Sequence, residues 1–135
     1  MKYVRIQEGI ELPSISGYKP FKAVIVVEET VSENWQSSVS DWIVESGCYY
    51  MMAWGMHCSS WDTSVDLANI AQYEDNIPDD GFVTTTWHED EPLSEVFWFS
   101  KNTAFSEYHD SNEVLVVHIS KVDKCDEFTR KYKNA

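Results

Sequence analysis

The sequence lacks basic residues over most of its length. No Lys or Arg occurs between Lys22 and Lys101, and residues 23–100 carry fifteen of the 23 acidic residues. The flanking segments hold all ten basic residues, so the formal net charge of −13 belongs to the middle of the chain. Such a negative field repels nucleic acid and anionic membranes and favours a basic protein partner or cations. We therefore expect no nucleic-acid or membrane partner, with acidity for solubility as the alternative explanation.

Cysteine and long apolar runs are also scarce. Three cysteines at irregular spacing do not form a disulfide framework. The first residues lack the apolar run and cleavage site of a signal peptide, and no stretch approaches the roughly 20 apolar residues of a membrane span. We expect a cytoplasmic protein with reduced thiols.

The sequence has no phosphate-binding or metal-binding signature. Gly55 stands alone, without a G-x-G-x-x-G or G-x-x-x-x-G-K-[ST] pattern around it. Neither paired C-x-x-C segments nor H-E-x-x-H occurs. We therefore expect no cofactor, with a divalent metal such as zinc as the alternative.

Apolar runs that alternate with helical patterns predict the fold. The 135 residues suit one domain, residues 1–135. Strands are predicted at residues 21–28, 48–54, 82–87 and 113–119, with a weaker edge strand at 2–6. Helices are predicted from Ser32 to Gly47, from Ser59 or Ser60 to about Tyr73, from Pro92 to Lys101 and from Asp123 to Tyr132. This alternation predicts an α/β fold: a single three-layer domain, Rossmann-like or flavodoxin-like, with a mostly parallel sheet of four or five strands and helices on both faces.

Two sequence blocks resemble those of a small bacterial family of unknown function. They are Trp54-Gly-x-x-Cys-Ser-x-Trp-Asp-x-Ser-Val-Asp and Thr85-Thr-Trp-His-x-x-Glu-Pro-Leu-x-Glu-Val-Phe-Trp-Phe. The resemblance covers roughly residues 22–120. It implies a bacterial or phage protein and brings no activity with it.

Parallel strands would gather four distant segments at one edge of the sheet. These segments are Glu28–Glu29, Trp54–Asp62, Trp87–Glu91 and His118–Ser120. They supply the binding candidates, three tryptophans and three acids: Trp54, Trp61, Trp87, Asp62, Glu89 and Asp90. The tryptophans fall near turns, where they can line a pocket or contact a partner, and core packing is the alternative for each of them.

The same edge supplies candidate catalytic residues. Cys58 lies just before a predicted helix N-terminus, where the helix dipole lowers a thiol pKa, and His57 or His88 is the candidate base. A phosphatase of the cysteine-loop kind would also need an Arg and a glycine-rich cradle, and the sequence has neither. A buried, unreactive thiol is the alternative for Cys58.

A metal site is the other chemical hypothesis for this edge. The candidate ligands are His57, His88 and Asp62, with Cys58, Asp90 and Glu28 as further donors suited to zinc or another divalent ion. Their spacing matches no recognised ligand pattern. Polar turn residues around a cleft are the alternative interpretation.

Three functional hypotheses follow from these observations. The first is an acidic interaction module that binds a basic protein, as an immunity protein or an inhibitor does. The second is a metal-dependent or cysteine-based hydrolase-like enzyme with its site at the carboxyl edge of the sheet. The third is a homodimer in which the apolar helix at 93–99 packs against a second copy.

Overall fold

The computed structural model describes residues 1–135 and contains one parallel five-stranded sheet between two layers of helices. The strands are β1 Lys2–Ile6, β2 Phe21–Val27, β3 Cys48–Gly55, β4 Thr84–His88 and β5 Val114–Ile119. The helices are α1 Glu33–Glu45, α2 Cys58–Gln72, α3 Leu93–Asn102 and α4 Cys125–Lys133. The predicted three-layer α/β architecture is confirmed. The edge strand predicted weakly at residues 2–6 is present as β1, which brings the sheet to five strands. None of the helices combines the length and apolar character needed to cross a membrane.

The strand order places the last strand near the middle of the sheet. The order is β1-β5-β2-β3-β4, and every neighbouring pair is parallel. The chain therefore passes from β2 to β3 and β4 in one direction, and then returns across the sheet to insert β5 between β1 and β2. Helix α1 follows β2 on one face of the sheet and α4 follows β5 on the other face, so the loops after these two neighbouring strands diverge and leave a topological switch point between them.

The central strand explains why both faces of the sheet are covered. All seven residues of β2 are buried. Ala23, Ile25 and Val27 pack in one core with residues of α1 and α2. Val24 and Val26 point the other way, into a second core with residues of α3 and α4. Because side chains alternate along a strand, an uninterrupted apolar run requires a helical layer on each side.

Three of the element boundaries that differ from the predictions have a clear local reason. Helix α2 begins at Cys58, ahead of the predicted Ser59 or Ser60, because the left-handed conformation of His57 (φ 54°) ends the preceding turn. Strand β4 begins at Thr84, because the N–H of Val83 donates to Asn69 Oδ1 instead of joining the strand ladder. Asp123 Oδ1 accepts a hydrogen bond from the Cys125 N–H, and α4 begins there.

The two lysines that border the cation-free segment bind helix C-termini. Lys22 is 2% exposed, and its Nζ donates to the Ser100 carbonyl in the last turn of α3 at 2.9 Å. Burial lowers the pKa of Lys22. The Nζ of Lys101 donates to the carbonyls of Tyr132 and Ala135 at the end of α4. Helices α1 and α2, in contrast, have no basic residue in their last turns.

Candidate functional site

The carboxyl ends of all five strands lie at one edge of the sheet, as parallel pairing requires. At this edge the turn after β3 approaches β2 closely, because the Met56 N–H donates to the Val27 carbonyl at 2.8 Å. A Cβ atom on Gly55 would lie 2.2 Å from that carbonyl oxygen, and Gly55 has φ 102°. Only glycine fits there, so this residue sets the path of the turn that carries His57 and Cys58.

A cavity of about 480 Å³ opens between the turns that follow β3 and β4. We call it the acidic cavity, and its lining is Trp54, Gly55, His57, Cys58, Ser59, His88, Glu89, Asp90 and Glu91. Three consecutive carboxylates contribute to this lining, and no Lys or Arg does. Six of the candidate residues named from the sequence therefore lie around one cavity.

Two residues of the acidic cavity have a backbone conformation that L-residues seldom adopt. His57 has φ 54° and Asp90 has φ 59°. Asp and His enter the left-handed region more often than most other non-glycine residues, but a positive φ is uncommon for both. Such conformations cluster at binding and catalytic sites, because the surrounding structure must offset their cost.

His88 is fixed on both sides of its ring. It is 9% exposed, its Nδ1 lies 2.7 Å from Glu91 Oε1, and its Nε2 lies 2.9 Å from Thr86 Oγ1. The Phe99 ring of α3 meets it edge-on, with the ring centroids 4.9 Å apart. Both ring nitrogens are already engaged, so His88 forms part of the cavity wall.

Cys58 points away from solvent at the start of α2. The residue is 3% exposed, and its thiol is not bonded to another cysteine. Burial raises the pKa of Cys58; a backbone hydrogen bond at His88 opposes this, and the charge of Glu89 adds to it. The thiol therefore stays protonated at neutral pH, and a protonated thiol is a weak nucleophile.

The remaining candidate residues do not line the acidic cavity. Trp61 is 1% exposed and belongs to the core beneath α2, whereas Trp87 on β4 is 51% exposed. Asp62 is half-buried, its Oδ2 has no hydrogen-bond partner, and burial raises its pKa. No three His, Cys, Asp or Glu side chains of the structure are arranged to hold a metal ion together.

A second polar cluster occupies the switch point between β2 and β5. His118 is completely buried, its Nδ1 lies 2.6 Å from the Tyr3 hydroxyl, and its Nε2 lies 2.5 Å from Glu28 Oε1. Lys124 closes the ring, because its N–H donates to the Tyr3 oxygen at 3.1 Å and its Nζ donates to Glu28 Oε2 at 3.0 Å. The ionised Glu28 carboxylate only accepts, so His118 donates from Nε2, and in that tautomer Nδ1 accepts the Tyr3 hydroxyl proton.

The ionisation of this cluster follows from its contacts. Burial acts to raise the pKa of Glu28, but hydrogen bonds from His118 and Lys124 oppose it and lower the pKa overall. The bond to Glu28 raises the pKa of Lys124. Burial raises the pKa of Tyr3, so its hydroxyl remains a donor. The cluster joins β1, β2, β5 and the start of α4, and all of its polar groups are paired within it.

The sequence predicted that Glu28 and His118 lie at this edge of the sheet, but it did not identify Tyr3 and Lys124 as members of the cluster. The missed residues belong to an edge strand with weak alternation and to the turn before a short helix. Neither position carries a motif, and the only available signal was the place of Tyr3 among the alternating residues of β1.

Two further cavities lie outside the acidic cavity. One of about 440 Å³ adjoins the switch point and is lined by Gln7, Glu8, Glu28, Glu29, Thr30, Val31, Met56 and Lys121. Another of about 480 Å³ lies at the amino edge of the sheet, beyond the ends of α1 and α2. The walls of this amino-edge cavity are more apolar, but its lining includes neither His57 nor Asp90, the two residues of the acidic cavity with a left-handed backbone.

Comparison with known proteins yields one family. The model of a family described as a domain of unknown function (DUF7684) matches residues 1–135. No curated protein and no solved structure matches the chain.

Proposed function

The chain belongs to the DUF7684 family, whose description assigns no function, and we propose that the protein is an interaction module that binds a basic protein partner through the acidic cavity. Inhibitors and immunity proteins work in this way, by covering a functional surface of another protein. The finding that supports this function is the cavity of about 480 Å³ with three consecutive carboxylates and no cation in its wall.

The charges around the cavity suit a Lys or Arg side chain. Glu89 and Asp90 are exposed, and neither takes part in an ion pair. Trp54 is held at the wall because its Nε1–H donates to the Glu91 carbonyl at 2.7 Å. An indole ring beside carboxylates attracts a cation through both the ring face and the charges.

The hydrolase alternative has less support. It needs a thiolate at Cys58 or a bound metal at His57, His88 and Asp62. The buried thiol has a raised pKa, and Asp62 does not line the cavity.

The test compares two doubly substituted proteins of equal charge. In Glu89→Gln/Asp90→Asn the exposed carboxylates of the cavity are neutralised, and Asn tolerates the left-handed backbone at 90. Asp41→Asn/Glu45→Gln makes the same charge change on the exposed face of α1 and is the control. A partner captured with wild-type protein from the organism that encodes it is purified, and its association is followed by surface plasmon resonance.

We expect the cavity variant to bind about tenfold more weakly, and the control to stay within about twofold of wild type. The association rate should fall steeply as NaCl rises from 20 to 500 mM, because charge steers the encounter. The proposal is wrong if the captured partner is acidic, or if the cavity variant binds it as well as wild type does.

A further inference from the structure

Strand β4 is an open edge of the sheet. It pairs with β3 on one side only, in a register that runs from Tyr50 opposite Thr84 to Trp54 opposite His88. No loop or helix supplies a backbone hydrogen bond to Thr84–His88. Alternate N–H and C=O groups along the outer side of a strand therefore remain available to another extended segment.

The two edges of the sheet differ in their protection. The other edge strand, β1, carries exposed Lys2 and Arg5, and charged residues of this kind discourage pairing with another strand. Strand β4 reads Thr-Thr-Thr-Trp-His and has neither Lys, Arg nor Pro. Its β-branched and aromatic residues favour strand pairing. Of the two edges, β4 is the one built to accept a strand.

Exposed aromatic side chains surround the open edge. Trp87 on the strand itself is 51% exposed. At the beginning of the strand Phe82, Phe105 and Tyr108 are also exposed by half or more, and they line a cavity of about 260 Å³ beside Thr84. We call these three residues the aromatic corner. Large exposed aromatic residues that surround a groove are typical of interaction surfaces.

The exposed charges around the edge are negative, whereas the cation of Lys22, 5.0 Å from the Phe105 ring centroid, is buried. Asp79 and Asp80 precede β4, Asp66 accepts a hydrogen bond from Thr85 on the α2 side, and Glu89 and Asp90 follow the strand. His88, the last residue of β4, lines the acidic cavity. The open edge is thus continuous with the surface proposed above to bind a basic partner.

We propose that the partner binds by strand addition: an extended segment rich in Lys or Arg pairs with the outer edge of β4, with its apolar side chains against the aromatic corner and a basic side chain in the acidic cavity. This inference rests on the proposed function and adds the binding mode. Five residues of β4 accommodate a strand of about 17 Å.

A second copy of the chain is a poor occupant of this edge. Each copy carries a net charge of −13, and two β4 edges would bring the same acidic residues together. Like charges placed opposite one another across a strand pair are destabilising. Charge complementarity therefore selects a basic segment.

The test uses capped peptides and the full-length protein. The first probe is an eight-residue peptide of alternating lysine and valine, acetylated and amidated. The second probe is a pair of peptides of the same sequence, one N-methylated at the odd residues and the other at the even residues. Each keeps the charge and loses the backbone donors along one of its two edges. The third has glutamate in place of lysine. Binding is measured by ¹⁵N NMR at 20 mM NaCl, with amide hydrogen exchange of the protein.

We expect the lysine–valine peptide to shift the amides of Thr84–His88 and to slow exchange of the outward-facing amides at least tenfold. One of the two N-methylated peptides should bind at least tenfold more weakly than the parent, and the glutamate peptide should not bind. Thr84→Pro and Thr85→Pro provide an independent check on the protein side. Proline is tolerated only where the N–H faces outward, so the variant that still folds should lose binding of the lysine–valine peptide.

Four results would overturn this inference. If all N-methylated peptides bind as tightly as the parent, or if the shifts avoid β4, the mode is wrong, while the proposed function survives through its own cavity variants. If sedimentation finds a dimer whose formation protects the β4 amides, the occupant is a second copy. Failure of the lysine–valine peptide to bind at all contradicts the inference, and only the absence of any basic partner also contradicts the proposed function.

Discussion

Buried and partly buried polar side chains divide into paired and unpaired groups in this protein. His118, Tyr3, Glu28 and Lys124 satisfy one another in a closed ring. Such a network stabilises one arrangement of the strands it joins, because a rearrangement would leave the buried His118 ring without its partners. Asp62 is the opposite case, since its Oδ2 is buried and has no hydrogen-bond partner.

The unpaired carboxylate of Asp62 predicts a stabilising substitution. Burial raises the pKa of Asp62 and the charge of Asp66 adds to it, against a hydrogen bond with Thr85, so the folded protein binds the proton more tightly than the unfolded chain does. The charged form therefore destabilises the fold at neutral pH, and this destabilisation disappears as the pH falls below the ordinary value of 3.8. Asp62→Asn should raise the free energy of unfolding by about 1 kcal/mol at pH 7 and by little at pH 3.

The measurement is urea unfolding of both proteins between pH 3 and pH 8. Asp41→Asn is the matched control, because Asp41 is an exposed acid of α1 and the charge of Asp66, the nearer acid, itself raises the pKa of Asp62. That control should change stability by less than about 0.5 kcal/mol at every pH. If Asp62→Asn instead lowers the free energy of unfolding at pH 7, the charged carboxylate of Asp62 has a stabilising partner in solution.

Single residues were predictable from sequence where the chain order placed them next to a strand end. His57, Cys58 and His88 follow or end predicted strands, and parallel pairing alone brings them to one cavity. Asp62 and Trp61 lie one turn into α2, and the exact helical phase decides whether they face the cavity or the core. That phase depends on the left-handed residue at 57, which has no signature in sequence.

At the scale of elements, the apolar and β-branched runs predicted β2 to β5, a weak alternation predicted β1, and all four helices were predicted, although only the Ser32 cap of α1 is present as a side-chain N-cap. The buried run of β2 also predicted the two helical layers, because both of its faces are apolar. The strand order was not predictable. The insertion of β5 between β1 and β2 depends on which neighbours bury the most surface, and no local pattern reports that choice.

The uncompensated C-terminus of α1 predicts a second stabilising substitution. Glu45 is the last residue of this helix, where its charge faces the negative end of the helix dipole and no basic residue offsets it. Glu45→Lys should raise the free energy of unfolding by about 1 kcal/mol at 20 mM NaCl. Urea unfolding measures the change, which should shrink in 1 M NaCl because salt screens surface charge.

The control for Glu45→Lys lies at the other end of the same helix. Glu33 is in the first turn of α1, where a negative charge is favourable. Glu33→Lys changes the net charge by the same amount, so any general effect of reducing the acidity cancels in the comparison. This variant should be less stable than Glu45→Lys by about 1 to 2 kcal/mol, and equal stabilities would contradict the dipole argument.

At the scale of the whole molecule, the acidic charge is almost entirely unpaired. The chain has 23 acidic residues, and the only ion pair with a Lys or Arg joins Lys124 to Glu28. A protein with this charge is destabilised by self-repulsion in the folded state and gains a fast encounter with basic partners. One property thus has opposite effects on stability and on association.

This opposition predicts that salt stabilises the fold while it slows binding. A domain of this length has a radius of gyration of about 14 Å. The screening length is about 20 Å at 20 mM salt and about 4 Å at 500 mM, so salt removes repulsion across the molecule and leaves near neighbours. The free energy of unfolding should rise by about 1 kcal/mol or more over this range of NaCl, as measured by urea unfolding.

A charge-reduced variant separates repulsion from other effects of salt. Asp41→Asn/Asp75→Asn/Asp110→Asn removes three exposed charges that make no hydrogen bond or ion pair, and Asn suits the left-handed backbone at 75. Its stability should exceed that of wild type at 20 mM NaCl and approach it at 500 mM, because the removed repulsion is already screened there. An equal response to salt in both proteins would show that NaCl acts through apolar burial instead. In that case self-repulsion between the unpaired acidic side chains would not destabilise the folded state.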